Sequence, residues 1–215
     1  MSKRVLWFMA VFAVFQTVFC DGLTNGNFET GTLDGWTTSY YENITQGPVD
    51  FDAYTDVELN RYTNSNAAVL YSYIDSGMGG GADGNVELGI SQEFTGYAGQ
   101  QIRFDYYAVY NDGYGGWTYS DAWVELGFGG ETVWSSSLSV NSNGTSVDWA
   151  SMTSPVFEVT GTYTISFMTS SEVVDTNSEA ELDVDNVQVI PEPASALLLG
   201  IGGFIAAFVR RYLAR

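Results

Sequence analysis

The chain has 215 residues, a net charge of −19, one cysteine and no histidine. That composition speaks against side-chain zinc, copper or haem sites and leaves no imidazole for acid–base catalysis. An acidic excess of this size repels nucleic acid and anionic lipid headgroups, and the metal it suits is oxygen-ligated calcium.

The N-terminus has the form of a secretory signal peptide over residues 1–20. Lys3 and Arg4 form the positive region, Val5 to Val14 is apolar, and Val18 and Cys20 are the small residues of a cleavage site before Asp21. Lipidation of Cys20 is the alternative, but Phe19 stands where a lipoprotein signal wants Gly or Ala. Cleavage after Cys20 leaves a mature chain with no cysteine, and so no disulfide and no thiol nucleophile. Residues 21–190, about 170 in number, suffice for one well-buried domain. Within them only Arg61 and Arg103 oppose 25 carboxylates, a net charge of −23.

Short alternating apolar runs, separated by Gly- and Asn-containing turns, predict an all-β, two-sheet antiparallel sandwich of roughly eight to ten strands. In chain order these are Trp36–Tyr41, Asp56–Leu59 as a weaker candidate, Ala67–Ile74, Val86–Phe94 and Gln101–Tyr110. Ala122–Phe128 and Glu131–Val140 follow, paired as a hairpin through Gly129-Gly130, then Ser154–Val159, Thr162–Thr169 and Glu181–Ile190. The glycine run around Gly79-Gly80-Gly81 precedes no helix and no Lys-Ser/Thr, so it is not a phosphate cradle. Arg103 is expected to pair with an acidic neighbour.

Asn25-Gly26-x-Phe28-Glu29, then Gly35-Trp36, and finally Asp185-Asn186-Val187 resemble the start and finish of the galactose-binding-like jelly rolls found in many carbohydrate-binding modules. Ile90-Ser91-Gln92, Ala98-Gly99-Gln100 and Gly161-Thr162-Tyr163 fit the middle of that pattern. The resemblance implies that the two termini meet and that a structural calcium clips them together. Glu29 and Asp185 are the candidate carboxylates, with carbonyls near Asn27 and from Ser65 or Asn66 completing the shell. The plainer alternative is that Glu29 caps a turn and Asp185 is a solvated strand residue. Phe28 and Trp36 are expected in the core, sealing one end.

Tyrosines and tryptophans crowd the middle of the chain, and sugars stack on such rings while hydrogen-bonding to Asp, Asn and Gln. Alternation puts Tyr106 and Tyr107 on opposite faces, so some rings must be core. The candidates for a sugar site are Tyr114 and Trp117, on the glycine loop after Asn111, with Asp112 and Tyr119 beside them. Catalysis finds little support without histidine, thiol or a Gly-x-Ser-x-Gly elbow, although a two-carboxylate glycosidase is formally possible.

After Ile190 come Pro191-Glu192-Pro193, an uncharged run from Ala194 to Val209, and Arg210-Arg211. The two prolines predict a stiff, extended backbone that leaves the sheet. As a helix the 16 uncharged residues reach about 24 Å, near the thickness of a bilayer core. This order resembles the PEP-CTERM sorting signal of certain Gram-negative bacteria, covering residues 191–215. The resemblance implies cleavage by an exosortase near Pro-Glu-Pro, a basic stop at Arg210 and Arg211, and a producer of extracellular polysaccharide. An ordinary anchor or a buried helix is the alternative. Together these features predict an exported, transiently membrane-anchored, non-catalytic protein of the cell surface or matrix that binds extracellular polysaccharide. A structural or adhesive surface protein without a sugar site is the rival.

Overall fold

The structure, a computed structural model, describes residues 22–46, 50–59, 66–75, 83–112, 117–138, 141–142, 149–174 and 178–191, together with Gly203 and Arg211. The signal segment 1–20, the run 194–209 apart from Gly203, and Glu192, Pro193 and Arg210 lie outside the described residues, as do Tyr114 and Ser65. Among the described residues no helix is long and apolar enough to cross a membrane.

Two sheets face each other, consistent with a jelly-roll sandwich. The first has the order β1 (Thr37–Gln46), β4 (Asp83–Gly96), β10 (Gly161–Val174), β6 (Trp117–Phe128), β7 (Glu131–Ser137). The second has the order β2 (Asp50–Leu59), β3 (Asn66–Asp75), β11 (Ser178–Pro191), β5 (Gln100–Asp112), β8 (Asn141–Ser142), with β9 (Ala150–Thr153) also pairing β5. All pairings are antiparallel except the short β5–β8 contact.

Alternation explains the core. β4 turns Val86, Leu88, Ile90 and Phe94 inward, β10 turns Tyr163, Ile165 and Phe167, and β5 and β11 supply Ile102, Phe104, Leu182 and Val184. Phe167 meets Phe104 edge-on at 4.9 Å and Trp36 at 6.0 Å. At one end the filling is aromatic, with Phe94, Phe128 and Phe157 gathered around Tyr163. Along the same strands it becomes small and polar: Ala108, Ala122, Ala180 and Thr169 are buried, and Ser72 and Ser171 share a hydrogen bond at 2.7 Å.

The expected hairpin is present. Phe128 pairs with Glu131 across Gly129 and Gly130, whose φ values of 62° and 86° a two-residue type I′ turn requires. Four expectations are corrected. Residues 154–160 form a loop and not a strand, and the short strand lies before it at β9. Pro155 has no N–H to continue a ladder, so the Phe157 amide bonds the Gln100 carbonyl at 2.7 Å and the Gly99 amide bonds that of Phe157 at 2.9 Å. Strand β6 begins at Trp117, so Trp117 and Tyr119 are strand residues rather than loop residues. Pro191 does not leave the sheet: it is the last residue of β11, opposite Gln100, where an exposed strand end tolerates the missing donor. Arg103 is exposed and faces Gln188 and Thr153 in register, not an acid.

Candidate functional site

The six-stranded sheet carries two chemically different features on its outer side. One is a corner where the segment from Gly22 to Trp36 meets the end of β11; the other is a broad face of rings and carboxylates.

Three contacts build the corner. The Gly26 carbonyl accepts from the Val187 amide at 2.7 Å, and a Cβ at Gly26 would lie 2.1 Å from the Val187 carbonyl oxygen, so only glycine allows this approach. Gln92 is buried on β4 and fastens the N-terminal segment: its Oε1 accepts from the Thr24 amide at 2.6 Å, and its Nε2 donates to the carbonyls of Thr24 and Gly35 at 2.9 and 2.7 Å. Phe28 takes a left-handed φ of 51°, a conformation that costs a non-glycine residue about 1–2 kcal/mol. Full burial of its ring against Trp36, centroids 5.3 Å apart, offsets that cost by about 2–3 kcal/mol. Phe28 and Trp36 are thus core residues, as their spacing suggested.

Glu29 and Asp185 come to this same corner. Glu29 is exposed, and its Oε1 accepts from the Asn66 amide, the first residue of β3, at 3.3 Å. Asp185 is buried in β11, one residue beyond the last β3 pair, Val184 with Ala68. Next to it Asn186 adopts φ 52° and the register with β5 shifts, so this bulge turns Val187 into the core. The Asp185 carboxylate accepts from the Asn186 amide at 2.6 Å. Asn25 Oδ1, also in the N-terminal segment, is buried and has no hydrogen-bond partner among the described residues. Among the described residues no cluster of three acidic side chains forms. Two carboxylates beside backbone carbonyls of an irregular segment are nevertheless the oxygen-only donor chemistry that calcium takes.

Register defines the outer face. In β11, Leu182 and Val184 point into the core, so Glu181 and Asp183 point out. Directly opposite Asp183 stand Val69 on β3 and Tyr107 on β5; opposite Glu181 stand Tyr71 and Val109. Below them Asp185 faces Asp105, which accepts from Ser151 Oγ of β9 and from Asn186 Nδ2, the latter at 3.0 Å. Trp149, immediately before β9, stacks over Tyr107 with centroids 6.4 Å apart and planes inclined by 28°. Tyr107 is buried yet belongs to no part of the inter-sheet core, because its cover is Trp149 and not the opposite sheet. Trp149 is half-buried, and its Nε1 has no hydrogen-bond partner among the described residues. Tyr71, Tyr107, Glu181 and Asp183 each make at least one further interaction. Tyr107 is covered, so Trp149 is the ring of the pair that can take the C–H face of a pyranose, with the carboxylates of Asp183 and Glu181 to accept hydroxyl protons.

The residues expected from sequence lie elsewhere. Asp112 ends β5 and Trp117 begins β6, strands of different sheets; Tyr119 follows on β6. They gather toward one end of the sandwich, away from Trp149. The predicted separation of Tyr106 from Tyr107 holds, with Tyr106 in the core cluster and Tyr107 outside it. The sequence reading does not single out Trp149, because the strand beside it, β9, has only four residues, too short an alternation to stand out. Its signal is the apolar/polar alternation Ala150-Ser151-Met152-Thr153, whereas the expected strand Ser154–Val159 runs across Pro155.

No protein-family model matches the chain, and no curated protein matches it in sequence. Solved structures similar to it include carbohydrate-binding modules with a β-sandwich fold, and also a bacteriophage tailspike domain, a glycoside hydrolase domain and a Stig cyclase. Among the modules is TmCBM61 in complex with beta-1,4-galactotriose, at 17% identity and a TM-score of 0.47 over 80% of this chain and 99% of that one. A structure from work on the promiscuous specificity of carbohydrate-binding modules of the β-sandwich superfamily is 20% identical, with a TM-score of 0.42 over 78% of this chain and 61% of that one. The CBM22-1 xylan-binding domain of Xyn10C from Paenibacillus barcinonensis is 15% identical, with a TM-score of 0.39 over 80% of this chain and 96% of that one.

Proposed function

We propose that this chain is an exported, non-catalytic domain that binds neutral extracellular polysaccharide on the outer face of its six-stranded sheet. The observation that carries the reading is the Trp149–Tyr107 stack, held outside the core beside Asp183 and Glu181. A pair of large rings on a sheet face contributes little to inter-sheet packing, whereas it suits a sugar ring well. The net charge of −23 favours neutral over acidic glycans, because uronate or sulfate groups would meet repulsion on approach. The sequence candidates Asp112, Tyr114, Trp117 and Tyr119 would form a second, separate patch in this proposal. Glu29 and Asp185 hold a structural calcium at the corner where the ends meet. Pro191, Glu192 and Pro193, the apolar run and the basic stop at Arg210 and Arg211 serve as a sorting signal read by an exosortase.

A glycan array tests the binding reading. The wild-type chain should retain one or more neutral polysaccharides, and Trp149→Ala should weaken binding by roughly 10- to 100-fold, the loss of about 1.5–3 kcal/mol of stacking. Tyr114→Ala and Trp117→Ala report on the loop patch in the same assay. A wild-type chain that retains no glycan points to the structural or adhesive rival, and hydrolysis of any screened polysaccharide points to a glycosidase.

A further inference from the structure

Among the described residues, three exposed large apolar side chains lie on the loops at the end of the sandwich from which β11 leaves the domain, while Tyr40, Tyr41 and Val133 lie on β1 and β7. Tyr97, Val156 and Val159 are 44%, 36% and 47% exposed, and they lie on two loops that hydrogen bonds join into one surface. The Gln100 amide donates to the Tyr97 carbonyl at 3.0 Å, the Phe157 amide to the Gln100 carbonyl at 2.7 Å, and the Ala98 amide to Thr160 Oγ1 at 3.1 Å. Pro191 stands opposite that same Gln100. Gly22 lies here too: a Cβ on it would sit 2.6 Å from Val189 Cγ2, so the first and last described strand-end segments emerge side by side.

From this arrangement we infer that the Tyr97–Val156–Val159 surface rests in the headgroup layer of a lipid bilayer while the chain is anchored. The inference depends on the reading of residues 194–209 as membrane-spanning, and chain length then forces the contact. Pro191 is fixed in the sheet, and only three residue steps separate it from Ala194, a reach of at most about 10 Å. The headgroup layer on each side of the hydrocarbon is itself about 5–7 Å thick. Between the last fixed residue and the lipid there is room for almost no spacer. A 16-residue helix, about 24 Å long, is also shorter than a hydrocarbon core of about 30 Å, which draws the domain inward. Tyrosine and valine are suited to that layer: the phenol reaches the headgroups while its ring and the valine side chains take the apolar side. Glu158, exposed between the two valines, sets the lipid preference. With the charge of the whole domain it selects zwitterionic over anionic headgroups. The sorting motif would in consequence be presented at the bilayer surface, held by the fold.

The test uses the full chain with Cys20→Ser, reconstituted in phosphatidylcholine vesicles. Single cysteines replace Tyr97, Val156 or Asp121 in turn and carry an environment-sensitive fluorophore. Asp121, exposed on β6 toward the opposite end, is the control. Alkaline extraction first establishes whether the chain is inserted. Doxyl-labelled lipid should quench the labels at 97 and 156 at least about twofold more than the label at 121. Val159→Asp should reduce the quenching at 156 while leaving the chain in the vesicles. An inserted chain with equal quenching at all three positions overturns the docked surface and spares the anchor. Release of the chain by alkali overturns both.

Discussion

The Tyr163 phenol is buried among Phe94, Phe128 and Phe157, and its hydroxyl donates to the Val159 carbonyl at 2.8 Å. Burial, with the nearby Glu158 carboxylate, raises its pKa above the usual value of 10.0. A raised folded pKa means that the unfolded chain loses this proton first, so the group's contribution to stability is full below pH 10 and declines above it. Tyr163→Phe loses the hydrogen bond and should be less stable by about 1 kcal/mol at neutral pH. Above pH 10 the gap between wild type and variant should narrow, since phenylalanine has no proton to lose. Denaturant unfolding of both proteins at neutral pH and at successive values above 10 measures this. A gap independent of pH would contradict it.

At the scale of elements, the N-terminal segment 22–36 contains no strand and is held to the sandwich by side-chain and backbone anchors. Gln92 alone satisfies three of its backbone groups. Gln92→Leu keeps the bulk but leaves those groups without their partner, and each such buried group costs about 1–3 kcal/mol. We expect a loss of about 2–4 kcal/mol in denaturant unfolding, with faster amide exchange at Thr24 and Val187 as the segment detaches. An equal acceleration across β4 and β10 would mean that the sandwich itself, and not the segment, had loosened. Strand reading from sequence succeeded where alternation was unbroken, in β3, β4, β5, β10 and β11. It failed around Pro155, because periodicity does not say on which side of a proline a ladder ends. It began β6 late, at Ala122, because Trp117 reads as the end of the glycine loop that starts at Asn111.

For the whole molecule, the meeting of the two ends is the feature on which calcium would act. A metal that binds the folded form alone stabilises it by mass action. We expect the chain freed of metal by a chelator to melt at a lower temperature, and calcium to restore the transition. A metal at about 100 times its dissociation constant adds about 2.7 kcal/mol. Glu29→Gln and Asp185→Asn should each weaken the response, as calorimetric titration and thermal melts would show. A wild-type melt indifferent to calcium would mean that Gln92, Gly26 and the Phe28–Trp36 pair close the corner unaided.

The resemblance carried by Asn25-Gly26, Gly35-Trp36 and Asp185-Asn186-Val187 implied that the ends meet and that Phe28 and Trp36 are core, while the residue pattern by itself determined the class of fold and the hairpin at Gly129-Gly130. These are local matters: strand period, left-handed turn positions and ring burial are written into neighbouring residues. It could not decide which rings share a surface. Tyr107 and Trp149 are 42 positions apart and meet only because β9 pairs β5, while Asp112 and Trp117, nearly adjacent in sequence, part into different sheets. Pro191 likewise reads as a break in the chain, and only its pairing with Gln100 fixes it in the sheet. Cross-strand register is a long-range property, set by how two whole faces pack, and the outer face of the sandwich exists only once that register is chosen.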